Sequence, residues 1–111
     1  RQVRQWEILQ NAIAHIETNY PEGLSLAGVA EAVHLSPGYF SRLFKQEQGV
    51  TFSEYLTCLR LAKARQLLRT GRLSIGEIAT AVGYSDANYF SRAFNKAMGM
   101  SPTEFRDAGR K

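Results

Sequence analysis

The sequence predicts an all-α fold in which one unit of two short helices occurs twice. Three features predict it: an internal repeat, apolar residues at helical spacing, and residues that begin or end helices at matching places. Residues 24–36 (LSLAGVAEAVHLS) match residues 73–85 (LSIGEIATAVGYS) at an offset of 49 residues. Residues 39–55 match residues 89–105 at an offset of 50, because one extra residue enters the second copy after Ser85. The sequence therefore contains a duplicated two-helix unit.

The first predicted element is an amphipathic helix that ends near Tyr20 and Pro21, since proline cannot continue helical hydrogen bonding. Acidic residues such as Glu7 and Glu17 lie on this helix. Four apolar side chains recur along it at helical spacing, and we expect them to face the core: Trp6, Leu9, Ile13 and Ile16.

The first two-helix unit comes next. Ser25 is predicted to cap its first helix by accepting a backbone N–H bond. Ser36 is predicted to cap its second helix, with Pro37 at the first helical position, and Gly49 to end that helix in the left-handed conformation. The apolar positions, which we expect to be buried, are Leu26, Val29, Ala30 and Val33 in the first helix and Phe40, Leu43 and Phe44 in the second.

A longer helix is predicted between the units, over residues 53–69, with Ser53 as its cap. At 1.5 Å per residue it would be about 25 Å long. Two separate halves of about 50 residues would be marginally stable, so we expect this helix to tie them together and to fix their separation. Its apolar residues lie on or near one stripe: Tyr55, Leu56, Leu59, Leu67 and Leu68.

The second unit repeats the pattern of the first. Ser85 is predicted to cap its second helix, and Asp86 lies at the opening of that helix, where a carboxylate favours the helix dipole. Gly99 is predicted to end it, and Pro102 with Phe105 indicates one last short helix. The apolar positions are Ile75, Ile78, Ala79 and Val82 in the first helix and Phe90, Phe94 and Met98 in the second.

Composition and charge narrow the classes of function. The 111 residues carry a net charge of +4, and residues 42–72 hold seven Lys and Arg against two Glu. This basic excess suits a surface that faces phosphates, although a solvated helix face would carry the same charges. No catalytic Ser/His/Asp set, carboxylate pair, glycine-rich phosphate loop or metal-ligand spacing is seen, which argues against an enzyme, a cofactor and a metal. The single Cys58 indicates a reducing, cytoplasmic compartment, and no signal peptide or membrane-spanning run is seen.

Two short helices around a turn, the second strongly amphipathic, are typical of a helix-turn-helix. The outward face of the second helix is small, polar and basic in both copies, which suits entry into a DNA major groove. Arg can read guanine and Asn adenine, whereas Lys45 and Lys96 suit phosphate contacts that position a helix without reading bases. The outward residues are Pro37, Gly38, Ser41, Arg42 and Lys45 in the first unit and Ala87, Asn88, Ser91, Arg92, Asn95 and Lys96 in the second.

Plainer interpretations exist for these residues. Arg42 or Arg92 alone could be merely solvated, although both occupy the same position of the two copies. Asp86 could repel a nearby phosphate. Other residues are interpreted as packing or surface positions without a binding role: the pairs Tyr39-Phe40 and Tyr89-Phe90 in the core, Cys58 as a small buried hydrophobe, and the lone His15 and His34.

Three stretches carry a resemblance to a known family. They are LSxxxVAxxVxLSxxYFSRLFKxExG (24–49), the connecting helix with Tyr55-Leu56 and Arg60, and IGEIATAVGYSDxNYFSRAFxKxMGMSPxEFR (75–106). From about residue 8 to residue 106 the chain resembles the DNA-binding domain of AraC/XylS-type transcriptional regulators. It looks most like the version found at the C-terminus of response regulators and ligand-sensing activators. The resemblance implies a seven-helix, all-α fold and a monomeric module that places two reading helices in successive major grooves.

The resemblance also assigns roles to single positions. With it we expect residues 1–111 to form one DNA-binding domain, with the first unit and its N-terminal helix in 1–50, the connecting helix in 51–70 and the second unit in 71–111. Gly38 and Ala87 lack a hydrogen-bonding side chain, so readout there would use backbone approach, methyl contact or DNA shape, or would be absent. The base-reading residues that the resemblance implies are Gly38, Ser41, Arg42, Ala87, Asn88, Ser91 and Arg92. We expect contacts with the DNA backbone from Pro37, Lys45, Asn95 and Lys96.

Two functions from different classes follow. The first is sequence-specific binding of double-stranded DNA, at two sub-sites about one helical turn apart in an asymmetric site, as part of a bacterial transcription regulator. The alternative is a helical protein-interaction module with only nonspecific DNA affinity, for which Glu7 and Glu17 are candidate contacts. Because the sequence starts at Arg1, we expect a longer chain with an N-terminal sensor or receiver domain, and RNA polymerase is a further expected partner.

Overall fold

The computed structural model of the protein describes residues 2–109. Within that range the chain forms seven α-helices and no strand: α1 (Gln2–Asn19), α2 (Leu26–Ala32), α3 (Pro37–Gln48), α4 (Phe52–Thr70), α5 (Ile75–Ala81), α6 (Ala87–Met98) and α7 (Pro102–Ala108). The predicted all-α fold with seven helices is therefore confirmed. The two predicted units are α2–α3 and α5–α6.

The chain divides into two compact units, one that ends at Leu59 and one that starts at Arg60. The division falls inside α4, which is one continuous helix of 19 residues. Phe52 and Leu56 of α4 are buried in the first unit. The residues of α4 that are buried in the second unit are Leu61, Ala64 and Leu68. One helix therefore supplies core residues to both units, whereas the finer division at residues 50 and 70 stays a prediction.

The core of the first unit combines residues of α1, α2, α3 and the start of α4. Phe44 lies 6.2 Å from Phe52 and 5.4 Å from Tyr55, centroid to centroid, with both partners edge-on to it. Such aromatic pairs contribute about 0.5–1.5 kcal/mol each beyond the burial of their area. The buried cluster consists of Leu9, Ala12, Ile16, Val29, Ala30, Phe40, Leu43, Phe44, Phe52 and Leu56. The predicted apolar face of α3 is thereby confirmed.

The second unit has an aromatic core of its own. Tyr84, Phe90, Phe94 and Phe105 form a chain in which neighbouring ring centroids are 5.5, 5.9 and 5.5 Å apart. Ile78, Ala79 and Val82 of the α5 face are buried as predicted, while Ile75 and Met98 are half-buried. In addition, Nη1 of Arg106 donates to the Leu73 carbonyl at 3.1 Å, which ties α7 to the segment before α5.

Several predicted helix ends are confirmed. The hydroxyls of Ser25 and Ser36 each accept the backbone N–H three residues later, at 3.0 and 3.3 Å. Gly49 and Gly99 end α3 and α6 in the left-handed region, with φ of 80° and 77°. These contacts satisfy backbone groups that a helix end otherwise leaves unpaired, so the bounds of α2, α3 and α6 follow from local sequence chemistry.

The predicted cap of α4 is wrong by two positions. Thr51 is the cap, because its hydroxyl accepts the Glu54 N–H at 3.1 Å while the Glu54 carboxylate accepts the Thr51 N–H at 2.9 Å. This reciprocal pair satisfies two donors at once. It starts the helix at Phe52 and leaves Ser53 exposed inside the first turn.

The predicted cap of α6 is wrong by one position. Asp86, not Ser85, is the cap, and its carboxylate accepts the Asn88 N–H at 2.9 Å. The cause is the extra residue of the second copy, which shifts the helix from an offset of 49 residues to one of 50. The carboxylate at this helix N-terminus is also favoured by the helix dipole, as predicted.

Trp6 of α1 and Cys58 of α4, both expected in the core, are exposed. Trp6 is 62% exposed, because the buried stripe of Leu9, Ala12 and Ile16 continues one turn earlier at Gln5, which is half-buried. Cys58 is exposed as well. It lies two residues beyond buried Leu56, which is about 200° around the helix and so on the opposite side.

Candidate nucleic-acid interface

The turn before each candidate reading helix has the same hydrogen-bonded form. In the first unit His34 lies in the left-handed region (φ 63°), and the next N–H, that of Leu35, donates to the Ala30 carbonyl at 2.9 Å. In the second unit Gly83 takes this position (φ 103°), and the Tyr84 N–H donates to the Ala79 carbonyl at 2.8 Å. The duplicated sequence therefore folds into the same helix-turn-helix geometry twice.

Helix α3 presents the predicted residues to solvent. It buries Phe40, Leu43 and Phe44 against the first core, and this fixes the rotation of the helix about its axis. The opposite face then has to be exposed. All five predicted positions on that face are exposed: Pro37, Gly38, Ser41, Arg42 and Lys45.

Helix α6 repeats this arrangement in the second unit. Phe90 and Phe94 are fully buried and set the rotation of the helix. Five of the predicted residues are exposed, namely Ala87, Asn88, Arg92, Asn95 and Lys96, and Ser91 is half-buried. No acidic residue lies within α6 itself, whose cap is Asp86.

The N-terminal turn of α3 is narrow because Gly38 has no side chain. Nη1 of Arg42 lies 3.6 Å from the point that a Cβ would occupy at Gly38. The guanidinium therefore lies back along the helix, toward its N-terminus. A helix with small residues at this end can approach the floor of a major groove about 12 Å wide more closely than one with large residues.

The guanidinium of Arg92 has a different support. Its Cζ lies 6.0 Å from the ring centroid of Tyr89, at cation–π distance. The Tyr89 ring in turn packs edge-on to Tyr84, with centroids 5.6 Å apart. Sequence reasoning missed this contact. The only signal was the spacing of three residues between Tyr89 and Arg92, which places both on one side of a helix.

The tyrosines expected in the core are in fact partly exposed. Phe40 and Phe90 are fully buried, but Tyr39 is 40% and Tyr89 56% exposed. The Tyr39 hydroxyl accepts a hydrogen bond from Nε2 of Gln5 in α1, at 3.3 Å. The interpretation of each Tyr-Phe pair as core packing is thus right for the phenylalanine and wrong for the tyrosine, because adjacent helical residues point about 100° apart.

Three charged residues of the two units, Lys45, Glu54 and Arg60, have local partners. Nζ of Lys45 donates to the Gly49 carbonyl at 3.5 Å, where a cation also favours the C-terminal end of α3. The Glu54 pKa is held below its ordinary value by hydrogen bonds from Thr51 and, to a smaller extent, by the charge of Lys45. In the second unit, burial lowers the pKa of the Arg60 guanidinium, whose Cζ lies 5.6 Å from the Tyr84 ring centroid.

Within residues 2–109 no cluster of three or more His, Cys, Asp or Glu is placed to hold a metal ion. No helix in the same range is long and apolar enough to cross a membrane. Cys58 is a free thiol on the surface of α4. The candidate site consists of the exposed polar and basic faces of α3 and α6.

Known proteins with a similar sequence place the chain in a family. The helix-turn-helix domain family matches residues 29–108. RhaS of Escherichia fergusonii, an HTH-type transcriptional activator, is 40% identical over 98 residues, which make up 88% of this chain and 35% of RhaS. The chain belongs to the AraC-type helix-turn-helix family of transcription regulators, as the motifs predicted. It spans about a third of the length of the curated relatives that it matches.

Solved structures agree with this assignment. The C-terminal domain of AraT, a response regulator from Geobacillus stearothermophilus, is 44% identical, with a TM-score of 0.88 over 91% of this chain and 84% of that one. The DNA-binding domain of AdpA, a global transcriptional factor, was solved in complex with a target DNA. It is 25% identical, with a TM-score of 0.88 over 92% of each chain.

Proposed function

We propose that this chain binds double-stranded DNA in a sequence-specific manner, with the exposed faces of α3 and α6 each in a major groove. The observation that carries the proposal is the pair of equivalent faces. In both copies the aromatic side of the second helix is buried, and small, polar and basic residues remain exposed. The solved complex of the AdpA domain with its target DNA supports it.

The roles follow from side-chain chemistry. Arg42 and Arg92 can each donate two parallel hydrogen bonds to the O6 and N7 of guanine, and Asn88 can pair with adenine. Ser41 and Ser91 can bond to either kind of base. Gly38 and Ala87 contribute backbone approach or methyl contact. Pro37, Lys45, Asn95 and Lys96 are assigned to the phosphate backbone, which positions each helix in its groove.

The site on DNA is proposed to be asymmetric. The two units follow one another in the same chain direction and differ in their outward residues, for example Gly38 against Asn88 at an offset of 50. A symmetric dimer reads a palindrome, whereas two non-identical units in direct order read two different boxes. We assign one box to each reading helix, about one helical turn apart.

Substitution of the two arginines tests the proposal. Arg42→Ala and Arg92→Ala should each weaken binding to the preferred duplex by about 1–3 kcal/mol and relax the preference at one base position. The measurement is a titration of each variant against the preferred duplex and against duplexes changed at single positions. Arg72→Ala is the control, because Arg72 is exposed but lies outside α3 and α6. It removes one positive charge and should leave the base preference unchanged.

The base-reading assignment is wrong if either arginine variant keeps both the affinity and the base preference of the parent chain. It is also wrong if Arg72→Ala alters the base preference as much as they do. A loss that is equal for every duplex would instead make the arginine concerned a phosphate contact.

A second candidate function is a protein-interaction module, and the exposure of Trp6 favours it. This large aromatic residue is 62% exposed on α1, beside exposed Glu7 and with exposed Glu17 further along the helix. Exposed aromatic residues are enriched in protein interfaces. Contacts of this helix with RNA polymerase, or with a sensor or receiver domain of a longer chain, are further proposals of the same kind. This function would stand first if the chain bound DNA with no preference for sequence.

A further inference from the structure

We propose that Tyr89 is a positioning residue for Arg92, holding its guanidinium over the surface of α6 before DNA is bound. The proposal rests on the proposed function insofar as Arg92 reads bases. It adds that the ring of Tyr89, and not only the helix backbone, determines where the guanidinium lies. It also makes the second unit different from the first in how its arginine is held.

The first observation is the contact itself. Cζ of Arg92 lies 6.0 Å from the Tyr89 ring centroid, and the two residues are three apart on α6. Tyr89 is 56% exposed, so its ring is available to a side chain on the helix surface. The negative face of an aromatic ring attracts a guanidinium. Tyr89 thus supports a side chain that carries no other contact fixing it to α6 among those described.

The second observation is that Tyr89 is itself held. Its ring packs edge-on to Tyr84, with centroids 5.6 Å apart and planes at 69°. Tyr84 is only 7% exposed and packs on Phe90, and its own backbone N–H donates to the Ala79 carbonyl. The Tyr84 ring also has a cation beside it, because Cζ of Arg60 lies 5.6 Å from its centroid. The support for Arg92 therefore begins in the core of the second unit.

The physical consequence is a lower entropic cost of binding. A free arginine side chain has many rotamers, and fixing them on binding reduces affinity. A guanidinium that already lies in one place loses less freedom when it meets a base. An exposed cation–π contact corresponds to a factor of about two to five in an equilibrium constant, which sets the size of the expected effect.

The first unit supplies the matched comparison. The residue equivalent to Tyr89 is Tyr39. It has no aromatic ring beneath it of the kind that Tyr84 provides for Tyr89, because Leu35 occupies the place of Tyr84. The Tyr39 hydroxyl instead accepts a hydrogen bond from Gln5. Arg42 lies toward Gly38. Substitution of Tyr39 therefore changes the same residue type at the same helical position without the proposed coupling.

The first test needs no DNA. The order of the Arg92 side chain is measured by NMR relaxation of its Nε–H group in the free chain. The group should be ordered in the parent chain and in Tyr89→Phe, which keeps the ring, and should become mobile in Tyr89→Leu, which does not. Equal order in Tyr89→Leu and the parent would overturn the proposal. Thermal unfolding of each variant checks that the exposed substitution leaves the fold intact.

The second test is a double-mutant cycle on binding to the preferred duplex. Tyr89→Leu should weaken binding about two- to fivefold, Tyr89→Phe should bind like the parent, and Tyr89→Leu should have no further effect once Arg92→Ala is present. Tyr39→Leu and Arg42→Ala, in contrast, should combine additively. Additive losses for Tyr89 and Arg92, or an equal loss in Tyr89→Phe, would overturn the positioning role.

The two failures are distinguishable. If Arg92→Ala leaves the base preference unchanged, the base-reading role of Arg92 is wrong, whatever the NMR result. If Arg92→Ala relaxes the preference but Tyr89→Leu changes neither the order of Arg92 nor the affinity, base reading stands and the positioning role of Tyr89 is wrong.

Discussion

At the scale of single residues, the side chains that α3 and α6 bury determine which of their residues are exposed on the candidate faces. Arg42 and Arg92 occupy the same position in the repeat, yet one lies toward a glycine and the other over an aromatic ring. Lys45 also has a local contact that is separate from its proposed role. Its ammonium group donates to the Gly49 carbonyl at 3.5 Å. A contact this long on an exposed side chain is weak. In its proposed role, Lys45 would exchange this contact for one with a phosphate.

Substitution of Lys45 distinguishes a phosphate contact from a base contact. Lys45→Ala should weaken binding to all duplexes by a similar factor and should lower the slope of log affinity against log salt by about 1. Binding is measured at several salt concentrations, with Gln46→Ala as the uncharged neighbour on the same helix. A loss confined to the preferred sequence, or an unchanged salt slope, would contradict the phosphate role.

At the scale of helices, reciprocal hydrogen bonds at N-termini recur through the chain. Ser74 with Glu77 caps α5, and Ser101 with Glu104 caps α7, each hydroxyl accepting a backbone N–H while each carboxylate accepts the cap's own N–H. Thr51 with Glu54 does the same for α4. Helix α6 departs from this pattern with a lone aspartate. The N-terminus of α6 is thus capped by one side chain, so that a single substitution removes this cap.

The cap of α6 is tested by comparing two neighbouring residues. Asp86→Ala should reduce the free energy of unfolding by about 0.5–2 kcal/mol, because the Asn88 N–H loses its acceptor. Ser85→Ala, one residue earlier and also exposed, should change it by less than about 0.5 kcal/mol. Denaturant unfolding of both variants gives the comparison. The reverse order of effects would restore Ser85 as the cap.

The cap of α4 should make stability depend on pH. The pKa of Glu54 is held below its ordinary value of 4.5, mainly by the hydrogen bond from the Thr51 backbone N–H. A group with a lowered folded pKa contributes stability above its unfolded pKa, and the contribution disappears as pH falls through the folded value. The difference in Tm between the parent chain and Glu54→Ala should therefore be present at neutral pH and shrink below pH 4.5.

The control for this experiment is Ser53→Ala, which alters the residue first expected to cap α4. Its Tm should stay close to that of the parent chain at every pH. A difference for Glu54→Ala that is the same at neutral and acid pH would show that the carboxylate does not hold the helix end through its charged form.

The helices could be predicted from the sequence because the signals are local. Glycine after an amphipathic run ended α3 and α6 where expected, and serine before such a run capped α2 and α3. The wrong cap of α4 had a visible signal, since Glu54 stands three residues after Thr51 whereas Leu56 stands three after Ser53. The wrong cap of α6 came from carrying the offset of the first stretch past the inserted residue.

The candidate site was predicted in part. Exposure of its residues followed from helical periodicity once the buried aromatic residues of α3 and α6 were known. The contact between Tyr89 and Arg92 could not be predicted in this way, because their spacing is equally compatible with two solvated side chains. The Tyr89 ring also packs on Tyr84, which is not its neighbour in sequence and has a leucine as its counterpart in the first copy. Packing of this kind cannot be read from periodicity.

At the scale of the whole molecule, the chain contains two copies of one helix-turn-helix unit whose outward residues differ. The first copy offers Gly38, Ser41 and Arg42, and the second offers Ala87, Asn88, Ser91 and Arg92. In the proposed roles, each copy alone would present only a few groups to bases. Since each well-made base contact is worth about 1–3 kcal/mol, useful discrimination needs both copies on one duplex. We therefore propose that both helices read bases.

The most direct measurement is selection of duplexes bound by this chain from a random pool, at near-physiological salt. We expect an asymmetric motif with two boxes about 10 base pairs apart, one for each reading helix. A single short box would mean that only one unit reads bases, which contradicts the claim for the other. No enriched motif, with binding that only falls as salt rises, would contradict sequence-specific recognition altogether and place the interaction module first.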